Sequence, residues 1–344
     1  MAINKHMRAA LRLLSYPAAA DLDKVYKVER AIYQLKAPPL SALYRHWDHH
    51  IESMDGTPIR VRIYTPKQQT DNRLLLFFHG GGWVLENVDT YNQVCKALAK
   101  ATGCRVISVE YRRAPEHPFP MGLEDCYAAA KAIYGAGEQL GTHSAQDVIL
   151  IGDSAGANLA AAVSLLARDR GEFQVTQQIL IYPATAADHS ETSPFPSVHE
   201  NGEGYLLTAY RVEQFMRLYA GMDDSAYQNP YFAPLLMKDL SRQPRTLLIT
   251  AEYDPLRDEG EAYAKALADA GNEVRCVRMA DALHGFISLP SRFVHVKRTH
   301  ALIREFLGDE NKCADSKNQN GTASTMRRKS SHRRFTGQIP QSFD

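Results

Sequence analysis

The chain of 344 residues is long enough for one large α/β domain with an elaboration, and its 44% hydrophobic content supplies a core. Forty Lys and Arg against 39 Asp and Glu leave a formal charge of +1, which excludes the strongly basic footprint of a nucleic-acid-binding domain. Five scattered cysteines without a C-x-x-C pair exclude a thiolate zinc cluster and a disulfide scaffold and point to a reducing, cytoplasmic setting.

At the N-terminus, Lys5 and Arg8 precede a short apolar run that Arg12 interrupts, so a signal peptide is not expected. Met7, Ala10, Leu11 and Leu14 recur at helical spacing, and residues 1–50 read as a helical segment. From about residue 59, β-rich runs (Ile59–Tyr64, Leu74–Phe78, Arg105–Tyr111, Val148–Gly152, Ile179–Tyr182, Thr246–Ala251, Val274–Met279) alternate with helical patterns. This alternation predicts an α/β domain over residues 51–307 with a mostly parallel central sheet flanked by helices. Continuous apolar runs such as Leu74–Phe78 and Val148–Ile151 are those of strands buried on both faces. Residues 184–221 break the rhythm, with Pro194, Pro196, Gly202 and Gly204 ahead of a helix from about Thr208. With residues 1–50 this insertion reads as a helical cap over the carboxyl ends of the strands, where ligands bind in such sheets. Residues 308–344 are rich in Ser, Asn, Gln, Lys and Arg and are expected to be a disordered, solvated tail, Arg327, Arg328, Lys329, Arg333 and Arg334 included. No apolar run approaches the roughly 18 residues of a membrane span.

The run Val148–Ile151 leads into Gly152-Asp153-Ser154-Ala155-Gly156, and a helix rich in small residues follows. A strand, Gly-x-Ser-x-Gly and a helix in succession form a nucleophile elbow, which exposes the serine hydroxyl at the tip of a tight turn. Phe78-His79-Gly80-Gly81-Gly82-Trp83 ends an earlier strand. Three consecutive glycines weaken any ordinary element, so the expected use is to present the N–H groups of Gly81 and Gly82, together with that of Ala155, to a substrate oxygen. Neither G-x-G-x-x-G nor G-x-x-x-x-G-K-[ST] is present, which removes a phosphate-binding reading. His79 precedes the serine and is expected to hold the glycine loop.

A serine hydroxyl needs a general base, and the base needs an orienting acid. Of thirteen histidines, His284 follows the last predicted strand in Ala282-Leu283-His284-Gly285-Phe286, while His295 and His300 fall within a helical pattern. The preferred acid is Asp254, just past the strand Thr246–Ala251; Glu252 and Asp258 compete with it. No His pair has metal-ligand spacing, so no metal is expected.

Five blocks in this order, His79–Trp83, Tyr111–Pro120, Gly152–Gly156, Asp254–Gly260 and His284–Phe286, resemble the hormone-sensitive-lipase-like branch of the α/β-hydrolases, close to bacterial acetyl esterases. The resemblance covers about residues 40–307. It implies an α/β-hydrolase fold with a helical cap, a Ser154–Asp254–His284 triad, and Gly81, Gly82 and Ala155 as oxyanion donors. It further implies a serine carboxylesterase acting on short-chain acyl esters through an acyl-enzyme, with no cofactor. Candidate substrate contacts are Trp83, Asp153, Tyr205 and Phe286, whereas Phe215 and Tyr219, at i and i+4, are expected to pack the cap helix onto the body. The chain departs from the family at Arg113, where Leu is commoner, and at Ala157-Asn158, where many relatives have a third Gly; both are expected to alter the pocket wall. Two other readings of the same fold stay open, an amidase or arylformamidase and a non-catalytic small-molecule receptor. The partner is then a small-molecule ester, with no nucleic acid and no membrane span, and the chain is a monomer or a homodimer.

Overall fold

The continuous apolar runs form the middle of an eight-stranded sheet in a computed structural model that describes residues 21–36, 46–136, 140, 142 and 144–308. Its strands are β1 (His46–Glu52), β2 (Pro58–Tyr64), β3 (Leu74–Phe78), β4 (Arg105–Val109), β5 (Val148–Asp153), β6 (Gln177–Ile181), β7 (Arg245–Tyr253) and β8 (Val274–Leu283). Their spatial order is β1-β2-β4-β3-β5-β6-β7-β8. The first three in space pair antiparallel and all others parallel, so β3 and β5 lie centrally with every residue buried.

The described helices are α1 (Leu22–Lys36), α2 (Asn92–Thr102), α3 (Met121–Gly135), α4 (Ala155–Arg170), α5 (Pro196–Asn201), α6 (Ala209–Ala220) and α7 (Arg257–Asp269). The small side chains of α4 let it sit buried against β3, β5, β6 and α3. Thr208 caps α6 by accepting the N–H of Arg211 at 3.1 Å, where the sequence starts that helix. Residues 294–301 are also helical. The chain divides into a unit of residues 1–301 and one of 302–344; of the second, residues 302–308 are described and are helical.

One expectation is corrected. The segment read as helical to residue 50 is helical over α1 but extended from His46, where β1 pairs with β2 in register His46↔Tyr64 to Glu52↔Pro58. An exposed edge strand needs no apolar alternation. β1 is held instead by ladder bonds and by Asp48, whose carboxylate accepts Arg62 Nε at 2.6 Å and Nη2 at 2.7 Å. The amphipathic pattern within residues 1–20 and the tail beyond residue 308 lie outside the described residues. Among the described residues no helix is long and apolar enough to cross a membrane, and no cluster of His, Cys, Asp and Glu could hold a metal ion.

Helix α1 is bound to α6 by charge. Arg211 pairs with Glu29, and Arg217 reaches Asp21 at 3.2 Å and Asp23 at 3.0 Å. Tyr33 of α1 and Val212 and Phe215 of α6 line the same cavity as Ser154.

Candidate active site

The turn from β5 into α4 puts Ser154 at φ 55°, ψ −123°, a conformation most side chains avoid. Its N–H donates to the Ile181 carbonyl at 2.9 Å, and its own carbonyl accepts the N–H groups of Ala157 and Asn158, both at 3.0 Å. The turn closes only because Gly156 has no side chain; a Cβ there would overlap the carbonyl oxygen of Phe78. Strain of this kind persists only where the surroundings over-determine it.

His284 follows β8 and precedes a 3₁₀ turn at Phe286–Ser288. Its Nε2 lies 2.9 Å from Ser154 Oγ, and its Nδ1–H donates to Asp254 Oδ2 at 2.6 Å. Asp254 is fully buried past the end of β7, and its other oxygen accepts the N–H of Leu256 at 2.9 Å. The competing acids are engaged elsewhere. Glu252 accepts the N–H of Asp281, and Asp258 pairs with Arg257 and accepts the N–H of Ser197.

The glycine loop lies beside the serine. Gly81 and Gly82 line one cavity of about 270 Å³ with Ser154, Ala155 and His284. His79 is fully buried, stacked on Tyr111 with ring centroids 4.3 Å apart, and its Nδ1–H donates to the Gly80 carbonyl at 2.9 Å. Burial pushes its pKa down to about 4, so the ring is neutral and anchors the loop.

Asp153 borders the cavity, yet its carboxylate is buried and turned to protein donors. It accepts the N–H of Gly80 at 3.0 Å and the hydroxyls of Tyr91 at 2.9 Å and Tyr182 at 3.2 Å. Burial pushes its pKa up to about 6 despite these donors and the nearby His284. Tyr182, unmarked in the sequence, sits at φ 37° with its ring centroid 4.6 Å from that of His284.

The remaining candidates divide. Trp83 lines the cavity and stacks on Tyr219 at 4.5 Å. Tyr205 does not line it; the ring is buried in a stack with Tyr253, 5.0 Å between centroids. Phe286 is likewise off the cavity, buried edge-on against Tyr182. Conversely Phe215, expected only to pack, borders the cavity, as do Tyr33 of α1 and Leu206. Periodicity had marked the inward face of α6 without telling whether core or cavity lay beneath it. Neither family departure reaches the pocket wall. Arg113 bonds the carbonyls of Leu85 and Glu86, and Asn158 Nδ2 donates to those of Ala184 and Phe232, each at 2.9 Å.

Comparison with known proteins identifies the family. The alpha/beta hydrolase fold family matches residues 75–288. A carboxylesterase, NlhH, of Mycobacterium tuberculosis is 36% identical over 279 residues, 80% of this chain and 86% of that protein. An arylesterase of Saccharolobus solfataricus is 37% identical over 242 residues, 69% of this chain and 76% of that one. Among solved structures, a hyperthermophilic esterase from the archaeon Pyrobaculum calidifontis superposes with a TM-score of 0.79 at 36% identity, covering 90% of this chain and 99% of that one. The chain belongs to the α/β-hydrolase family, in its hormone-sensitive-lipase-like branch.

Proposed function

We propose that Ser154, His284 and Asp254 hydrolyse short-chain acyl esters by a two-step acyl transfer. The chain is a carboxylic ester hydrolase, as are its relatives. The observation that carries the residue assignment is the unbroken run from Ser154 Oγ through both imidazole nitrogens of His284 to Asp254 Oδ2, at 2.9 and 2.6 Å. Ser154 Oγ attacks the ester carbonyl carbon while His284 Nε2 takes its proton, and Asp254 holds the imidazolium. The carbonyl oxygen, now an anion, is received by the N–H groups of Gly81, Gly82 and Ala155, each worth roughly 3 kcal/mol to the transition state. Collapse breaks the bond to the alkoxy oxygen, which takes the proton from His284 and leaves as alcohol. Water then enters, His284 removes its proton, and the same sequence frees the acid and Ser154.

Two features support a short acyl chain. The cavity is small, and its walls are apolar side chains of the proposed cap, Leu206, Val212 and Phe215, with Tyr33 of α1 beside them. The scattered cysteines support a cytoplasmic setting.

Hydrolysis of p-nitrophenyl esters from acetyl to palmitoyl, with Ser154→Ala alongside, tests the reading. Turnover peaking between acetyl and hexanoyl and abolished in the variant supports it. A peak at palmitoyl overturns the short-chain preference, and turnover retained by Ser154→Ala overturns the assignment of the nucleophile.

A further inference from the structure

We infer that Arg30, on α1 and outside the cavity lining, is a positioning residue that holds the oxyanion loop in its working conformation. This rests on the assignment of Gly81 and Gly82 as oxyanion donors. The loop needs holding: Gly81, Gly82 and Trp83 have φ of 101°, 61° and 59°, three successive residues in a region that costs energy for the tryptophan at least.

Two hydrogen-bonded paths run from Arg30 into that turn. In the first, Arg30 Nε donates to the Val84 carbonyl at 2.6 Å. The N–H of the same peptide group, that of Leu85, donates to the Gly81 carbonyl at 2.9 Å. The Gly81 carbonyl in turn belongs to the peptide group whose N–H is that of Gly82. The second path passes through the Ala114 Cα, not through one peptide plane: Arg30 Nη2 donates to the Ala114 carbonyl at 2.7 Å, and the N–H of the same residue donates to the Trp83 carbonyl at 3.0 Å. The peptide group carrying that carbonyl sends its own N–H, from Val84, to the Gly81 carbonyl at 3.1 Å. Both paths end on one peptide plane, so its tilt, and the direction of the Gly82 N–H, are fixed from behind by a cation.

The charge acts as well as the geometry. Hydrogen bonds from a guanidinium are roughly twice as strong as neutral ones, and aligned donors and acceptors polarise one another in a low-dielectric setting. Glu116 holds the outer edge of the same guanidinium at 2.8 and 2.9 Å, which fixes its plane. Arg113 extends the grip by bonding the next two carbonyls, those of Leu85 and Glu86. A lysine has one ammonium at the end of a flexible stem and cannot span Val84, Ala114 and Glu116 together.

The test uses the full chain carrying Arg30→Met or Arg30→Lys, measured with p-nitrophenyl butyrate and two inhibitors. One is a trifluoromethyl ketone, which forms a tetrahedral oxyanion on serine; the other is the matching secondary alcohol, which does not. The expected result for both variants is a fall in kcat of about tenfold or more with KM changed less than about twofold, and weaker ketone binding by the same factor. Alcohol binding is expected to be unchanged. The ratio of the two inhibition constants does not depend on the fraction of folded enzyme, so a poorly folding variant still reports. Asp23→Asn, which loosens α1 at its surface pair with Arg217, is expected to match wild type. Equal weakening of both inhibitors, rescue by lysine, or an equal effect of Asp23→Asn overturns the inference while leaving the proposed nucleophile intact. Turnover retained by Ser154→Ala instead removes the reading beneath it.

Discussion

Asp153 Oδ1 accepts the N–H of Gly80 at 3.0 Å, so the residue before the elbow serine also grips the start of the glycine loop. Its other oxygen takes the hydroxyls of Tyr91 and Tyr182, and the Tyr182 ring lies against the imidazole of His284. One buried carboxylate thus ties together the loop, the end of β5 and the wall behind the base.

Holding that carboxylate has a pH signature. Its folded pKa, near 6, lies above the ordinary aspartate value of 3.8, so the folded state binds more protons between those values. Its contribution to stability is therefore full below about pH 4 and is lost as pH rises through 6. Between pH 4 and pH 7 the unfolding free energy of wild type is expected to fall by about 2 kcal/mol relative to Asp153→Asn. Urea unfolding of both proteins at the two pH values checks this; parallel behaviour contradicts it.

His79 is expected to stay neutral well below the usual histidine range, with its proton on Nδ1 facing the Gly80 carbonyl. Long-range ¹H–¹⁵N correlation spectra at pH 6 should show the His79 imidazole neutral and in that tautomer. A titration of His79 between pH 6 and 7 would contradict the anchoring role.

Phe215 packs so close to the loop that a Cβ on Gly82 would enter its ring, and it also walls the cavity. Phe215→Ala is expected to move the ester preference toward longer acyl chains and to lower stability by about 3 kcal/mol. The chain-length profile and the urea midpoint of the variant measure both.

Asp254→Asn is expected to lower kcat on the order of 10⁴-fold with little change in KM, because the amide favours the wrong imidazole tautomer. Glu252→Gln, whose side chain bonds the N–H of Asp281 instead, is expected to have far less effect. Comparable losses in the two variants would show that the acid is misassigned.

What the sequence disclosed follows the physics of each element. The strand into Ser154 is a continuous buried run ended by glycines, so pattern and punctuation agree, and His284 and Asp254 stand at strand ends where loops converge. β1 carried no such mark, because a polar edge strand is defined by its partner. Phe215 escaped for a related reason: helical spacing finds the buried face of α6 but not whether core or cavity lies under it. Arg113 stood out as a departure, yet its side chain runs behind the loop to the Leu85 and Glu86 carbonyls, a direction only tertiary structure sets. Tyr182 owes its place to a positive φ at the end of β6, for which a tyrosine gives no local sign.

The most direct test of the central claim is covalent labelling with a fluorophosphonate, followed by intact-mass analysis and peptide mapping. One adduct per chain on Ser154, with activity falling in proportion to labelling and labelling lost in His284→Ala, is the result expected. A stoichiometric adduct on another residue, or full activity after complete labelling of Ser154, would contradict the account.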